Sequence, residues 1–343
     1  MDVMRAPYGR QPSTAFPSAV PGAQPAASGY QGATYYDRPA IKSSHYGQLI
    51  AGYLFIGGLA GASQLIASTA DVVGREADRP IVRTGRYLAL AGSLVSPVLL
   101  IADLHTPQRW YNMLRIFRST SSMSIGAWTL TAFGTTSAAT ALAQLLDDRA
   151  VMPRSRRLGR WLSVPAALAG ATMATYTGAL LATTSTPLWA SGERLLPALF
   201  GTSAASTATA ALSLAQHLQG HSGSATRVEH LAFMAGAAEL VIASATDRRW
   251  RQQGVAAPLR QARTAAAYRL GFGGLGIMAP LILHGINLLT RRRSRATSIV
   301  AAVATLAGGY LLRSTLISAG NQSAQRAHDY LRFTQPSAGS RQA

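Results

Sequence analysis

Between Asp103 and Trp128 the chain reads DLHTPQRWYNMLRIFRSTSSMSIGAW. A carboxylate at the end of an apolar run is followed by Arg109, Arg115 and Arg118, interleaved with aromatic rings. Asp103, Arg109, Asn112 and Arg115 in that spacing suit a docking platform for a partner protein, with Asp103 pairing internally to Arg109 or Arg115. The competing reading is a loop at the lipid headgroups, where Trp and Arg are common. A second group of ionisable residues falls inside long apolar runs, where each is costly unless it is paired or wet. Glu239 and Arg269 could form a structural interhelical pair, or Glu239 could relay protons. His217, His230 and His284 fall toward one side. Two of them on separate helices could ligate a b-type haem, although hydrogen-bonded interior histidines meet the same description.

The elements that hold these residues are membrane helices. The chain of 343 residues is 48% hydrophobic and only 13% charged, which is too few charges for a soluble enzyme of this size. Its formal charge of +19 comes from arginine strings set between uncharged runs, with Lys42 the single lysine. A nucleic-acid-binding surface would instead spread basic residues along one face, so that class is excluded. Without cysteine the chain supplies no disulfide, thiolate metal site or iron–sulfur ligand.

Crossing the hydrocarbon layer takes about 20 apolar residues. Uncharged runs of 28 residues follow Lys42 and Arg118, and runs of 32 follow Arg160 and Arg194. A shorter run lies between Arg86 and Asp103. Three more segments cover about 228–246, 266–290 and 296–319, the first of them interrupted by Glu239 and therefore the weakest. The expected fold is all-α, a polytopic membrane protein of about eight helices over residues 43–320. Disordered tails are expected at 1–42, rich in Pro, Gly and Ser, and at 321–343. Residues 1–42 contain no apolar core, so no cleaved signal is expected. An even helix count puts both termini on one side, here called side A, with the 103–121 loop. Basic residues divide almost evenly between side A and side B, so the positive-inside rule assigns no orientation.

The stretch DLHTPQRWYNMLRIFRSTSSMSIGAW resembles the signature after helix 2 in the NrfD/PsrC family, membrane subunits of polysulfide reductase and formate-dependent nitrite reductase complexes. YLFIGGLAGAS, TYTGALLATTSTPLWA and GFGGLGIMAPLIL agree with it, so the resemblance covers about 35–320. It implies eight helices arranged as two four-helix bundles in a bacterial cytoplasmic membrane. It also implies electron exchange with a ferredoxin-like iron–sulfur subunit, a catalytic and often molybdopterin-bearing third subunit, and menaquinone or ubiquinone as cofactor, without haem. By the same resemblance Tyr176 occupies the place of a quinone-contacting tyrosine. The family's second contact, a histidine, is replaced here by Tyr53, with His45 and Gln48 upstream. Tyr53 and Tyr176 both lie roughly 10–12 Å in from side A, a depth that suits a quinone headgroup. Two tyrosines of the aromatic belt would lie there as well. Function is expected to be either a quinone-interacting membrane anchor or a purely structural one.

Overall fold

The computed structural model describes residues 41–290 and 294–334, and every regular element among them is helical. The long helices are α1 (Gln48–Val73), α2 (Arg79–Ala102), α3 (Ser122–Asp148), α4 (Ser155–Ala182), α5 (Leu195–Leu218) and α6 (Ser222–Gln252). The seventh, α7, is composite: Ala262–Ala265, a π-helical stretch Ala266–Met278, then Ala279–Thr290. After it come α8 (Arg295–Ala324) and the short α9 (Ala327–Thr334). Seven of these helices are long and apolar enough to cross a membrane, and the protein is a multi-pass membrane protein. The segment expected to be weakest, α6, is one of the seven and runs for 31 residues. The helix outside that set is α3, whose 27 residues are diluted by Ser, Thr and Gly and end in Asp147 and Asp148.

Packing follows the small residues. Helix α1 lies against α2, α4, α5 and α8, while α3 closes against α2 and α4. On the other side α5 packs on α6 and α8, and α7 on α8 and α6. A Cβ on Gly61 would sit 2.5 Å from the carbonyl oxygen of Gly170, and one on Gly308 would sit 2.2 Å from Cα of Gly276. Only glycine permits such approach, which matters because dispersion drives helix association in lipid. The Gly276 contact falls in the π-helical stretch, a wider helix that brings backbone and not side chains to α8.

Side B is closed by a buried guanidinium. Pro80 in the first turn lets α2 start at Arg79, well before the apolar run, so Arg86 lies inside the helix at 3% exposure. Its Nη2 donates to Asp71 of α1 at 2.6 Å and to Ser163 of α4 at 2.9 Å, and its Nη1 to Gln144 of α3 at 3.0 Å. Further pairs join Arg79 to Glu76 and Asp147, Arg83 to Asp148, and Arg227 to Asp78.

At side A the start of α1 meets the end of α8. Ser44 Oγ donates to Asn321 Oδ1 at 2.6 Å, and Asn321 Nδ2 donates to the Tyr46 carbonyl at 3.1 Å. Beyond Gly320, α8 continues to Ala324 and α9 covers Ala327–Thr334, where a disordered tail is expected. Residues 1–40 and 335–343, which carry most of the expected tails, lie outside the described residues. Gly308→Val should separate α7 from α8 and cost about 1–3 kcal/mol through overpacking. Thermal unfolding of the purified protein in detergent would show this as a lowered midpoint, and an unchanged midpoint would mean that the Gly276–Gly308 approach is dispensable.

Candidate functional site

Just outside the first turn of α1, His45 and Tyr46 face the end of α2. The His45 and His105 rings stand 5.5 Å apart, and Asp103, capping α2, feels both imidazoles. Burial pushes the Asp103 carboxyl above the usual carboxylate range, and the two histidines partly oppose that shift. Tyr46 stacks on Trp189 with ring centres 6.1 Å apart, and its hydroxyl is directed at the thioether of Met123, a weak acceptor, 4.0 Å away. Burial, and then the charge of Asp103, push the Tyr46 hydroxyl up. Trp189 forms the floor, 0% exposed, its Nε1 donating to the Leu316 carbonyl at 2.9 Å.

Beneath this mouth lie Tyr53 and Tyr176, within electrostatic reach of each other and of Tyr46. The structure therefore gathers His45, Tyr53, Tyr176 and Asp103 at one end of the helices. Both tyrosines are closely packed, at 3% and 8% exposure. Tyr176 donates its hydroxyl to the Ser122 carbonyl, and its ring occupies the space that a Cβ on Gly126 would need. Gln48 turns away, accepting from Tyr310 and Ser314 of α8 at 3.0 Å each. Next to the mouth, an apolar groove of about 260 Å³ runs between α2, α3 and the 107–114 segment, lined by Pro97, Ile101, Trp110, Met113 and Leu130 among others.

The 103–121 loop is held by its own hydrogen bonds. Ser124 Oγ donates to the Ile116 carbonyl and accepts from the Arg118 amide at 3.0 Å, while Ser121 caps α3 through the Ser124 amide. This leaves Arg109, Asn112, Arg115 and Arg118 exposed beside Trp110, Tyr111 and Phe117. Among the described residues no arginine of this loop enters an ion pair. The expected pairing of Asp103 with Arg109 or Arg115 is corrected accordingly, since Asp103 faces the two histidines.

The expected Glu239–Arg269 pair is also corrected. Arg269 is exposed on α7, whereas Glu239, 3% exposed, faces Ser203 and Ser206 of α5 and the charge of Arg313. Arg313 is fully buried; its Nη1 donates to Ser203 Oγ at 2.7 Å and to the Gly309 carbonyl at 2.8 Å. Its guanidinium lies over Phe200 and Phe55, 5.2 and 5.9 Å from their ring centres. His284, 6% exposed, faces Glu229, which also meets His217 Nε2 at 2.7 Å. His230 is exposed on another face of α6.

Sequence reasoning overlooked Tyr46, His105, Arg86 and the Arg313 partnership. Tyr46 and His105 adjoin residues that were singled out, so their neighbourhood was the available signal. A charge counted as flanking, such as Arg86, carries no mark of being buried.

A profile of the family described as "Polysulphide reductase, NrfD" matches residues 40–324. Comparison with curated proteins finds no match.

The buried Arg313–Glu239 arrangement makes a testable energetic claim. Arg313→Met should leave Glu239 without its cation and cost about 3–5 kcal/mol, whereas adding Glu239→Met should recover most of the loss. Unfolding midpoints of the two single variants and the double variant check this. Additive losses would mean that the two residues are not energetically linked.

Proposed function

The chain belongs to the NrfD family, whose members are membrane subunits of oxidoreductase complexes, and on that premise we propose that it is the quinone-interacting subunit of such a complex. A single observation carries the reading: the polar mouth of His45, Tyr46, Asp103 and His105 opens on the same side as the exposed arginine and aromatic loop. A quinone headgroup and a docked electron carrier would then be neighbours. The natural setting is a bacterial cytoplasmic membrane.

We read α3 as an eighth crossing. Its 27 residues span about 40 Å, and the Ser44–Asn321 hydrogen bond needs the first and last helices to meet on one side, hence an even number of crossings. On this reading the helices form two bundles, α1–α4 and α5–α8, a division supported by the packing of α3 on α2 and α4 and of α7 on α6 and α8.

The residues present fit a quinone at the mouth better than at the deeper tyrosines. A quinone oxygen needs donors, and Tyr176 already donates to the Ser122 carbonyl. Tyr46, engaged only by a thioether, and the exposed rings of His45 and His105 can donate. The adjoining apolar groove would take the prenyl tail. When bound, a quinone supplies two-electron, two-proton redox chemistry. Asp103, raised by burial, and its histidine neighbours are placed to hold the accompanying proton. Arg109, Arg115 and Arg118, with Asn112, present an unneutralised basic surface for an acidic partner, a ferredoxin-like iron–sulfur protein. A molybdopterin-type catalytic subunit would complete the complex. One observation favours the second reading, a purely structural anchor: Tyr53 and Tyr176 are closely packed, and Tyr176 is satisfied internally.

Tyr46→Phe should lower turnover with a quinol analogue about threefold to tenfold, as loss of one hydrogen bond of 0.5–1.5 kcal/mol requires. Tyr176→Phe should act more weakly. Normal rates in both variants of an active complex would remove the tyrosines from the site, and a complex without quinone-linked activity would support the anchor.

Asp103 can accept a proton only when ionised, so quinol oxidation should rise with pH through a pKa above the ordinary carboxylate range. Asp103→Asn should abolish that limb of the profile. A profile identical to wild type would exclude Asp103 as the acceptor.

Charge reversal at Arg109 or Arg115 should release the iron–sulfur partner while the membrane protein remains inserted. Co-purification in mild detergent reads this directly, and intact complexes from both variants would leave the loop an ordinary headgroup-level segment.

A further inference from the structure

Near side B a groove of about 580 Å³ lies between the last turns of α1 and the first turns of α6. Leu65, Ile66, Ala70 and Val73 of α1 and Leu231 of α6 form its apolar walls, and Leu65, Val73 and Leu231 are exposed toward the membrane. Ile81 of α2 also lines it and clusters with Leu212 and Val228, with Ile66 and Ala70 packed against them. Three polar residues complete the lining: Asp78 before α2, and Arg227 and His230 on α6.

Their depth sets what they can bind. The 31 residues of α6 span about 46 Å, close to the roughly 40–45 Å of a bilayer with its headgroups. Arg227 follows Ser222 by five residues and so lies about 8 Å in, where phosphates meet hydrocarbon. His230 is about one turn deeper and exposed. Lipid tails offer an imidazole no hydrogen bond at that depth. Among the described residues no side chain or carbonyl of the protein takes it up either.

Arg227 pairs through Nε with Asp78, and its Nη2 donates to the Ala77 carbonyl. Its Nη1 has no partner among the described residues, and 42% of the side chain is exposed. Asp78 is already engaged on both oxygens, since the second accepts from the Arg75 amide at 2.8 Å. An ion pair that only tied the 74–78 loop to α6 would account for Asp78. It would not account for a membrane-facing imidazole one turn below, beside an open apolar groove. Arg75, next to Gly74 of the lining, adds a further exposed cation, so the rim favours an anion.

We propose that this groove binds one anionic phospholipid of the side B leaflet. Its phosphodiester accepts from Arg227, and a glycerol ester carbonyl accepts from the His230 ring. One acyl chain runs along α1 past Ala70 and Leu65. A fatty acid would satisfy the cation alone, whereas a phospholipid offers an anion and, one turn deeper, a neutral acceptor. Bound there, it fills the gap between α1 and α6 and fastens the two helices at side B. The site stands independently of quinone binding.

The test is native mass spectrometry of the full chain, released from nanodiscs that contain equal phosphatidylglycerol and phosphatidylcholine. The expected result is one phosphatidylglycerol retained per chain in preference to phosphatidylcholine. Arg227→Gln and His230→Ala should each lower the retained fraction about fivefold, the effect of one headgroup contact. Thr69→Trp keeps both headgroup residues and fills the groove, because Thr69 lines it and its hydroxyl donates only to the Leu65 carbonyl. Retention should then be lost. Arg227→Gln strands Asp78, so His230→Ala and Thr69→Trp decide the matter if that variant fails to fold. Equal retention of the two lipids would overturn the proposal, and so would retention unchanged in a folded variant. A wild-type chain that keeps no lipid would overturn it too, leaving the groove to a helix of a partner subunit.

Discussion

A guanidinium within the hydrocarbon layer must find its hydrogen-bond partners on neighbouring helices, because lipid offers none. Two arginines impose that requirement here. The Nη atoms of Arg86 find partners only when α1, α3 and α4 gather around α2 to present Asp71, Gln144, Gly159 and Ser163. The Nη atoms of Arg313 find partners only when α5 offers Ser203 and Phe200, with the charge of Glu239 on α6 within electrostatic reach and Phe55 of α1 covering its face. Small residues let the helices come close, but they are compatible with many registers. The buried arginines select one register, since sliding a helix by a turn would strand a charge in lipid.

The same chemistry explains how the basic residues are distributed. On side B Arg79, Arg83, Arg156 and Arg227 pair with Glu76, Asp78, Asp147 and Asp148 and so hold loops together. On side A the arginines of the 103–121 loop have no such partners among the described residues and stand beside exposed rings. A count of basic residues treats the two sides as nearly equal. Carboxylates divide evenly as well, so the distinction is local to the 103–121 loop, whose exposed arginines act on whatever lies within a Debye length.

Two polar centres result, set apart by helix packing. The side A mouth, with His45, Tyr46, Asp103 and His105, adjoins the 103–121 loop. The polar series of α5–α8 faces side B and is separated from α1 by Arg313 and its two phenylalanines.

The all-helical membrane fold, the approximate spans and the family were legible from the sequence. Run length, charge spacing and small-residue content act locally along a helix, and the 26-residue motif is long enough to be specific. The candidate site was legible in part. Tyr53, Tyr176, His45 and Asp103 were marked by depth, motif and neighbourhood, and they do lie at one end of the bundle. Partner choice was not legible. Glu239 lies within electrostatic reach of Arg313 while Arg269 is exposed, Asp103 lies within reach of two histidines and makes no ion pair with Arg109 or Arg115, and Gln48 turns to α8. Each of these depends on how helices rotate about their axes and which faces meet. At 100° per residue a side chain's direction is set by its helix, but its partner is set by a helix distant in the chain. The sequence by itself therefore determined where the chain crosses the membrane and which residues could carry chemistry. Only tertiary packing decided which of them face one another, because that depends on satisfying all the buried charges at once.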